Sequence, residues 1–518
     1  MLFPLVLCRS CGQHYIQLIA SERVAIEDVG VEKTRVAGKY EEPNQDETLV
    51  YLTNRLIGRE DEEDGTSVKE GYLCRYCGTL HDKKVPTCHN SKCKRKGIVT
   101  VHRKDEAMKT CVACGTPAKG YEEIVTPARS SEVADVTILS QSMLSAMQEE
   151  ELQKLLVFTD NRQDAAFQAG WMEERSRRFR LRHLLFKVLS DEPDRTWSFE
   201  KLTVRIVEEA QEHGIFKTKV WDPEDNEKRA RWFLLQEFAS MGQRRNSLES
   251  LALARVIVSG IDAKSLPSFY EKWTKKLGVN SSQLADIVGL VLDYYRRHGM
   301  VSDPLLARQW NPKDIEVRKG LVLVADRYYP QALVYQKTER SSMLKSFKAG
   351  NSMSAAQQLL RKALPAGDAV PNEDRNEFLD DLWETLKNKA IIKEIQLTRR
   401  KGAKHEAIRV PGKPYHINVD LLGIKLPNGH FVCDACRRSQ GTETPTRSCP
   451  EYQCKGKLSW QERDPEHFDV YQYTRTRFVP LKAAEHSAQV PGDERRVIEE
   501  QFKRKTGGTY NCLVCTPT

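Results

Sequence analysis

The fourteen cysteines of this 518-residue chain all stand in closely spaced pairs. A CxxC pair bends the backbone into a tight turn that directs two thiolates at one ion, and Zn²⁺ prefers four such ligands in a tetrahedron. In an intracellular protein, clustered cysteines favour metal sites over disulfides. The sequence therefore predicts structural zinc.

Eight of the cysteines form two quartets of the same design, in which a CxxC pair is followed after a short loop by a CxxxxC pair. Each quartet is local enough to close its own site, so we expect two structural Zn²⁺ ions. The ligands would be Cys74, Cys77, Cys88 and Cys93 in one quartet, and Cys433, Cys436, Cys449 and Cys454 in the other.

Two further pairs near the amino end each read CxxCG, namely Cys8/Cys11 and Cys111/Cys114. We expect them to form a third zinc site that joins the ends of the N-terminal module, with a swapped pairing among the eight N-terminal cysteines as the alternative. Because four thiolates leave zinc no open position, these sites predict a structural role and disfavour a zinc enzyme. The nearby histidines, expected to be exposed polar residues and not ligands, are His14, His81, His89 and His102.

The last pair, Cys512 and Cys515, lies in the run YNCLVCTPT, whose apolar centre is typical of a buried strand. Residues three apart on a strand project from opposite faces. These two thiolates are therefore not expected to hold one ion, and the run is interpreted as a strand.

The composition is that of a soluble globular protein, with 40% hydrophobic and 30% charged residues. Its length suggests about three domains. The net charge of +9 and the pI near 8.7 permit a polyanionic partner without requiring one. No apolar run approaches the ~18 residues that span a bilayer. The start MLFPLVLC lacks the charged region of a signal peptide, so we expect a cytoplasmic protein with no membrane partner.

Two segments outside the zinc quartets have an α/β pattern. The apolar run Leu155–Phe158 is followed by a polar turn and a helix, which predicts a parallel strand buried on both faces. The turn Thr159–Arg162 would lie at the carboxyl end of that strand, where open α/β sheets contact their ligands. Near the end of the sequence, DERRVIEEQFKRK predicts an amphipathic helix that leads to the strand Cys512–Cys515.

The segment between them predicts mainly helices. Arg175–Leu189 has a basic face that is either solvated or in contact with phosphate, and Ser198–Gly299 is mostly helical. Within it, Gln243–Gly260 predicts a helix followed by a β-branched strand. Further along, apolar residues at helical spacing, two short strands and the basic turn RRKGAK outline a winged helix. The wing residues that would suit phosphate contact are Arg399, Arg400, Lys401 and Lys404.

Several of these segments resemble a known family. KLLVFTDNRQDAAFQAG resembles motif IV, which opens the second RecA-like domain of superfamily 2 DEAD/DEAH-box helicases, in particular the branch of mitomycin repair factor A-like large bacterial helicases. RRNSLESLALARV is similar to the RR-SLE-LGL-RV stretch of that branch, with Ala252 where glycine is usual. EHSAQVPGDERRVIEEQFK followed by CLVCTPT resembles its His-Ser segment, its arginine-containing helix and the start of motif V. The resemblance covers residues 135–260 and 470–518, approximately.

The resemblance implies an ATP-dependent nucleic-acid helicase or translocase, in which ATP and Mg²⁺ bind between two RecA-like domains. It also implies that the zinc modules and the winged helix are insertions that grip or split a duplex. The expected partner is single-stranded or forked DNA, with RNA as the alternative. Motor or nucleic-acid contacts are implied at Thr159, Asp160, Arg162, Gln163, Asp164, Thr516 and Thr518, and more weakly at His486, Arg495 and Arg496.

The sequence departs from the family pattern because it contains neither a Walker A motif nor a DExH box. We therefore expect an internal part of a helicase, or one product of a split gene whose partner chain carries the missing half. No catalytic residue is expected in this chain, and ATP and Mg²⁺ would bind only together with a first RecA-like domain. The competing hypothesis is a non-enzymatic, zinc-rich nucleic-acid adaptor, which accounts for the zinc and the basic charge but not for the two α/β segments.

The predicted fold class is α/β: a partial RecA-like parallel sheet with zinc ribbons and a winged-helix-like α+β insertion. The predicted domains are a cysteine-rich zinc module at 1–125, the first part of the RecA-like domain at 135–190, a mainly helical insertion at 191–345, a winged-helix-like domain at 346–425, a zinc ribbon at 426–465, and the continuation of the RecA-like domain at 466–518, truncated within motif V.

Overall fold

A computed structural model shows mixed α and β structure. It describes residues 4–8, 13–36, 43–53, 68–109, 111–112, 118, 123–127, 132–160, 162–216, 224–239, 247–303, 305, 332–338, 344–350, 353–365, 367, 370–401, 404–407, 409–451, 454–475 and 479–516. Among these residues, no helix combines the length and the apolar character needed to cross a bilayer.

The α-helices of the described residues are concentrated between the N-terminal region and the second zinc quartet. They span Glu132–Ala146, Arg162–Asp191, Phe199–Glu212, Glu224–Phe238, Pro267–Leu277, Ser281–Arg297, Ala355–Ala363, Asn372–Asn388, Phe468–Thr474 and Gly492–Lys503, with short 3-10 turns at Glu150–Leu152 and Val419–Leu421.

The N-terminal region is built on one ten-stranded antiparallel sheet. Alternation along its central strands buries both faces, since Tyr15 and Tyr51 enter one core while Leu18 and Leu52 enter another. The strands are Leu5–Cys8, His14–Ala20, Val24–Ile26, Val29–Glu32, Thr34–Val36, Thr48–Thr53, Lys69–Cys74, Leu80–His81, Ile98–Asp105 and Val125–Pro127.

The first and last strands of this sheet pair with each other, so the two ends of the region meet. Val6 lies opposite Pro127, at the edge of the sheet where a proline without an N–H is tolerated. Part of the sequence TPARSSE, which has the composition of a linker, is therefore strand.

A separate three-stranded parallel sheet joins segments that are far apart in sequence. Leu155–Phe158 lies beside Cys512–Cys515, which lies beside Ala483–His486. One face packs on the helices Glu132–Ala146 and Arg162–Asp191, and the other on Gly492–Lys503. The two segments with an α/β sequence pattern thus form one sheet.

The expectation that Leu155–Phe158 is buried on both faces is wrong. Leu155 and Val157 pack into the core, but Leu156 is 55% and Phe158 is 66% exposed. This strand lies at the edge of the described sheet. The helix Gly492–Lys503 covers the other two strands, Ala483–His486 and Cys512–Cys515, and leaves Leu156 and Phe158 uncovered.

The middle of the chain shares one continuous hydrophobic core, which extends from Leu181 to Tyr473. It crosses the predicted boundary between residues 345 and 346. The strands around it are Trp197–Ser198, Arg255–Val258, Val301–Ser302, Ala332–Val334, Leu344–Ser346, Ile392–Glu394, Tyr415–Asn418 and Leu422–Lys425, and the second zinc quartet adds Gly429–Cys433, Ser439–Gln440 and Leu458–Glu462.

The segments interpreted as a winged helix contain a helix, a short strand and a hairpin, and the winged helix itself stays a prediction. The helix Asn372–Asn388 buries Phe378, Leu382 and other residues at helical spacing. It leads into the strand Ile392–Glu394 and then the hairpin Thr398–Lys401/Lys404–Ala407. The side chains of Arg399, Arg400, Lys401 and Lys404 lie outside the described part of the structure.

Two predictions in the middle region need correction. The helix expected within Gln243–Gly260 is a series of turns in the described residues from 247 onward, although the following strand Arg255–Val258 is confirmed. In the helix Arg162–Asp191, Arg182 is buried and forms a bidentate ion pair with Glu237 at 2.8–3.0 Å, so it faces neither solvent nor phosphate.

Candidate metal centres and the carboxyl edge of the parallel sheet

The first quartet, which we call the first ribbon (residues 71–98), is held together by two backbone turns. Cys74 ends a strand, and its N–H donates to the carbonyl of Thr79 at 2.9 Å. In the second turn, the N–H of Cys88 donates to the carbonyl of Arg95 at 3.0 Å. Cys74 Sγ lies 3.8 Å from Cys93 Sγ, and Cys77 Sγ lies 3.6 Å from Cys88 Sγ.

The second quartet, which we call the second ribbon (residues 429–462), repeats this geometry. The N–H of Cys433 donates to the carbonyl of Arg438 at 2.9 Å, and that of Cys449 to Gly456 at 3.0 Å. The sulfurs pair as before: Cys433 lies 3.6 Å from Cys454 and Cys436 lies 3.5 Å from Cys449.

These distances fit zinc. Four zinc–sulfur bonds of about 2.3 Å in a tetrahedron separate neighbouring sulfurs by about 3.8 Å. In each ribbon all four sulfurs lie within 4.8 Å of one another, and these are the two groups of possible metal ligands among the described residues. Both predicted quartets are therefore assembled to hold Zn²⁺.

One thiol of the first ribbon is prepared for metal binding. Burial, the largest influence, would raise the pKa of Cys77, but hydrogen bonds with Thr79, whose Oγ1 lies 3.1 Å from Sγ, and with neighbouring cysteines lower it to about 7. Burial and the neighbouring thiols raise the pKa of Cys88 to about 12. Of these two thiols, Cys77 is therefore the one whose surroundings favour the thiolate, the form that binds metal.

The predicted third site is described only in part. Cys8 and Cys111 are both buried in the same core, with Tyr15 Oη 3.3 Å from Cys111 Sγ. Cys11 and Cys114 lie outside the described residues. The shared core of Cys8 and Cys111 is compatible with the expected joining of the two pairs, which stays a prediction.

The sequence predicts exposed histidines near the first quartet, and this prediction is wrong. The four histidines are half-buried or buried. His81 is 2% exposed. Its Nε2 accepts the backbone N–H of His89 at 3.2 Å, and its Nδ1 lies 3.2 Å from the carbonyl of Tyr72. Both ring nitrogens are occupied by backbone groups, so His81 supports the fold of the first ribbon and is not a ligand.

The strand Cys512–Cys515 behaves as its alternation predicts. Cys512 and Val514 face one core, while Leu513 and Cys515 face the other. Burial raises the pKa of Cys512 to about 12 and also raises that of Cys515. Two protonated thiols on opposite faces cannot share a metal ion.

The carboxyl edge of the parallel sheet brings three of the predicted motor residues to one side. Phe158, Cys515 and His486 are register partners across the three strands. Thr159 and Thr516 follow directly, and the N–H of Thr159 donates to the carbonyl of Cys515 at 3.0 Å. Parallel strands end at the same edge, so Thr159, His486 and Thr516 line it together.

The other predicted residues stand around this edge. Asp160 is exposed, and Gln163 and Asp164 are exposed in the first turn of the helix Arg162–Asp191. His486 Nε2 lies 2.9 Å from Glu499 Oε1, and this hydrogen bond, with that of Lys503, lowers the pKa of Glu499.

Arg495 donates to the carbonyl of Ser487 at 3.5 Å. The side chain of Arg162 and all of Thr518 lie outside the described residues.

Two groups of functional interest were not singled out from the sequence. Lys362, on the helix Ala355–Ala363, donates to the carbonyls of Cys449, Glu451 and Cys454 in the second ribbon. On the first ribbon, the guanidinium groups of Arg75 and Arg95 lie 5.0 and 5.3 Å from the centre of the Tyr76 ring. The arginine–tyrosine group could have been found from the sequence, because Arg75 and Tyr76 are the two residues inside a CxxC pair.

A comparison of the chain with protein-family models, curated proteins and solved structures finds no match.

Proposed function

We propose that the chain is part of an ATP-dependent superfamily 2 nucleic-acid helicase or translocase, in which it supplies the second RecA-like domain together with zinc-bearing insertions. The observation that carries this proposal is the parallel sheet. Leu155–Phe158 and Cys512–Cys515, the segments that resemble motifs IV and V, are adjacent parallel strands in matched register. The long segment between them is thus inserted into one sheet.

The carboxyl edge of that sheet would be the motor surface. Thr159, Asp160 and Arg162 would lie along the groove that follows a nucleic-acid strand, and Thr516 and Thr518 would contact its sugar-phosphate backbone. Thr516 and Thr518 would also relay the nucleotide state, and His486, Arg495 and Arg496 are weaker candidates for contacts at this surface. ATP with Mg²⁺, held mainly by a first RecA-like domain, would supply the free energy for opening and closing the two domains.

The insertions would hold the nucleic acid. The ribbons and the winged-helix-like unit would bind phosphates through basic residues, and so recognise charge and shape more than base sequence. The partner we propose is single-stranded or forked DNA, with RNA as a second substrate, together with a chain that carries the first RecA-like domain.

The first test is binding without hydrolysis. We expect the chain alone to bind forked DNA weakly in a fluorescence-anisotropy titration and to release no phosphate from ATP. ATP hydrolysis by this chain alone would contradict the assignment to a second RecA-like domain.

A matched pair of threonine variants tests the edge itself. Thr516→Val removes a hydroxyl at the carboxyl edge and is expected to weaken DNA binding about tenfold or more, because one hydrogen bond to a charged group contributes about 1.5–3 kcal/mol. Thr509 precedes the same strand and donates to Gln501 at 3.1 Å. Thr509→Val should bind DNA as the unchanged chain does; equal losses from both variants would count against the edge.

The second candidate function is the non-enzymatic zinc-rich adaptor. It is favoured by the exposed basic surface of the first ribbon. Coding sequence for a Walker A motif and a DExH box beside this reading frame would favour the helicase, and its absence from the same genome neighbourhood would favour the adaptor.

A further inference from the structure

The tip of the first ribbon carries an exposed aromatic ring beside two cations. Tyr76 is 38% exposed, and the guanidinium carbons of Arg75 and Arg95 lie 5.0 and 5.3 Å from its ring centre. Arg75 also donates to Tyr76 Oη at 2.9 Å. The two cysteine turns of the ribbon bring these three residues together, because each turn contributes one of the arginines.

The surface around this ring has a strong excess of positive charge. From residue 71 to residue 97 the sequence has seven lysines and arginines and a single acidic residue, Asp82. Asp82 is already engaged by Arg23 and by the backbone N–H of Gly30. Among the described residues, no carboxylate lies within ion-pair distance of Arg75 or Arg95. Exposed lysines that extend the surface are Lys92, Lys94 and Lys96.

Zinc binding does not require these residues. The second ribbon has the same cysteine spacing and the same turn hydrogen bonds, yet Asp434 and Ala435 stand where the first ribbon has Arg75 and Tyr76. Gly456 takes the position of Arg95, as the acceptor of the N–H of the third cysteine. The arginine–tyrosine–arginine group is therefore additional to what the metal centre needs.

We infer that this group is a contact site for a single strand of nucleic acid, in which a base stacks on Tyr76 while Arg75 and Arg95 hold the flanking phosphates. Aromatic rings and guanidinium planes are the surfaces on which unpaired bases stack, and a basic surface follows the backbone. A paired base inside a duplex cannot reach such a ring, so the site selects unpaired strands. The inference rests on the proposed function. It adds a defined contact with the nucleic-acid strand, distant in sequence from the carboxyl edge of the parallel sheet.

The experiment compares two probes that share a backbone and differ in bases. The full chain is titrated with a labelled oligothymidylate of about twelve nucleotides and with an abasic oligomer of the same length. Tyr76→Ala is expected to weaken oligothymidylate binding by about five- to 150-fold, the range for one base stacked on an aromatic side chain. Binding of the abasic oligomer should not change. Oligouridylate should show the same loss, because stacking does not depend on the sugar.

The arginines give a different readout. Changing Arg75→Gln together with Arg95→Gln removes two phosphate contacts, so the slope of log K against log salt should fall in magnitude by about 1.4, at ~0.7 for each contact with a single strand. Tyr76→Ala should leave that slope unchanged, and Tyr76→Phe should restore the affinity. Tyr471, on the helix Phe468–Thr474, is 43% exposed, and Tyr471→Ala serves as the control for loss of an exposed tyrosine ring.

Folding is checked by the zinc content of each variant. A combined Arg75→Asp, Tyr76→Ala and Arg95→Gly variant copies the second ribbon, a sequence that forms the same turns, and is expected to keep its zinc and to bind oligothymidylate more weakly than Tyr76→Ala does. If the unchanged chain binds neither probe, the proposed function fails together with this site. If the unchanged chain binds both probes and Tyr76→Ala binds each of them as tightly as the unchanged chain does, only the contact at Tyr76 is overturned.

Discussion

The two ribbons have the same cysteine spacing and the same turns, but their surroundings are opposite. In the first, the exposed tip around Tyr76 has lysines and arginines without carboxylate partners among the described residues. In the second, residues 429–462 include five lysines and arginines and four acidic residues. Arg438 there is 5% exposed at its side chain and pairs with Glu451 at 2.7 Å.

The second ribbon is also attached to the main body of the protein. Lys362 donates to three of its backbone carbonyls, and Arg297 donates to the carbonyl of Ser439 at 3.2 Å. Arg463 donates to the carbonyls of Ala252 and Pro427 at 3.0 and 2.8 Å. Cysteine spacing thus defines a metal centre, whereas the residues between the cysteines decide whether it supports the core or presents a surface.

The largest difference between the ribbons should appear when one ligand is removed from each. Cys77→Ser and Cys436→Ser should each lose one zinc per chain, measured by plasma mass spectrometry. A structural zinc site contributes about 10–16 kcal/mol of apparent binding free energy. We expect Cys436→Ser to lower the main thermal unfolding transition, because its ribbon is attached to the central core, and Cys77→Ser to leave that transition in place.

Calorimetry distinguishes the two outcomes. If both variants lowered the main unfolding transition equally, the difference between the ribbons would be contradicted, because the first ribbon would then stabilise the central core as much as the second does. Loss of more than one zinc from either variant would also contradict two self-contained sites.

The lysine that joins the second ribbon to the core should have the next largest effect. Lys362→Met keeps the aliphatic chain but removes the ammonium group that donates to Cys449, Glu451 and Cys454. Hydrogen bonds from a charged donor contribute about 1.5–3 kcal/mol, so the free energy of unfolding in urea should fall by that amount with zinc retained. Lys92→Met, on the exposed first ribbon, is the matched control and should change stability by less than about 0.5 kcal/mol.

The smallest effect concerns the residue after each CxxC. Gly78 has φ +80° and Arg437 has φ +60°, so both adopt the left-handed conformation that favours glycine. Arg437→Gly removes about 1 kcal/mol of local strain but adds flexibility to the unfolded chain. We expect stability to rise by no more than about 1 kcal/mol in urea unfolding, and a loss larger than that would show that the exposed Arg437 side chain contributes to the fold.

The parts of the fold that could be predicted are those encoded by short-range spacing. The two cysteine quartets, the strand Cys512–Cys515 with its two faces, and the helix around Phe378 and Leu382 depend on residues a few positions apart. Periodicity and turn geometry act over this distance, so a single sequence contains the information.

The parts that could not be predicted depend on distant partners. Six strands of the ten-stranded sheet have four residues or fewer, and the sheet forms because most of them pair with strands that are distant in the sequence. The burial of Arg182 follows from Glu237 on another helix, and the exposure of Leu156 from a place at a sheet edge. The assignment to a helicase, including the roles at Thr159 and Thr516, stays a prediction.

The parallel sheet has a consequence for the order of events during synthesis. Lys154, beside its first strand, donates to the carbonyl of Arg504, 350 residues later. At roughly 5–20 residues per second, a ribosome needs about 20–70 s to make the segment between them. Closing a flexible loop of that length would cost about 5 kcal/mol in chain entropy. The central core, which runs from Leu181 to Tyr473, brings the two ends of the inserted segment together when it folds. The edge that gathers Thr159 and Thr516 is therefore completed only after the whole inserted segment has been synthesised.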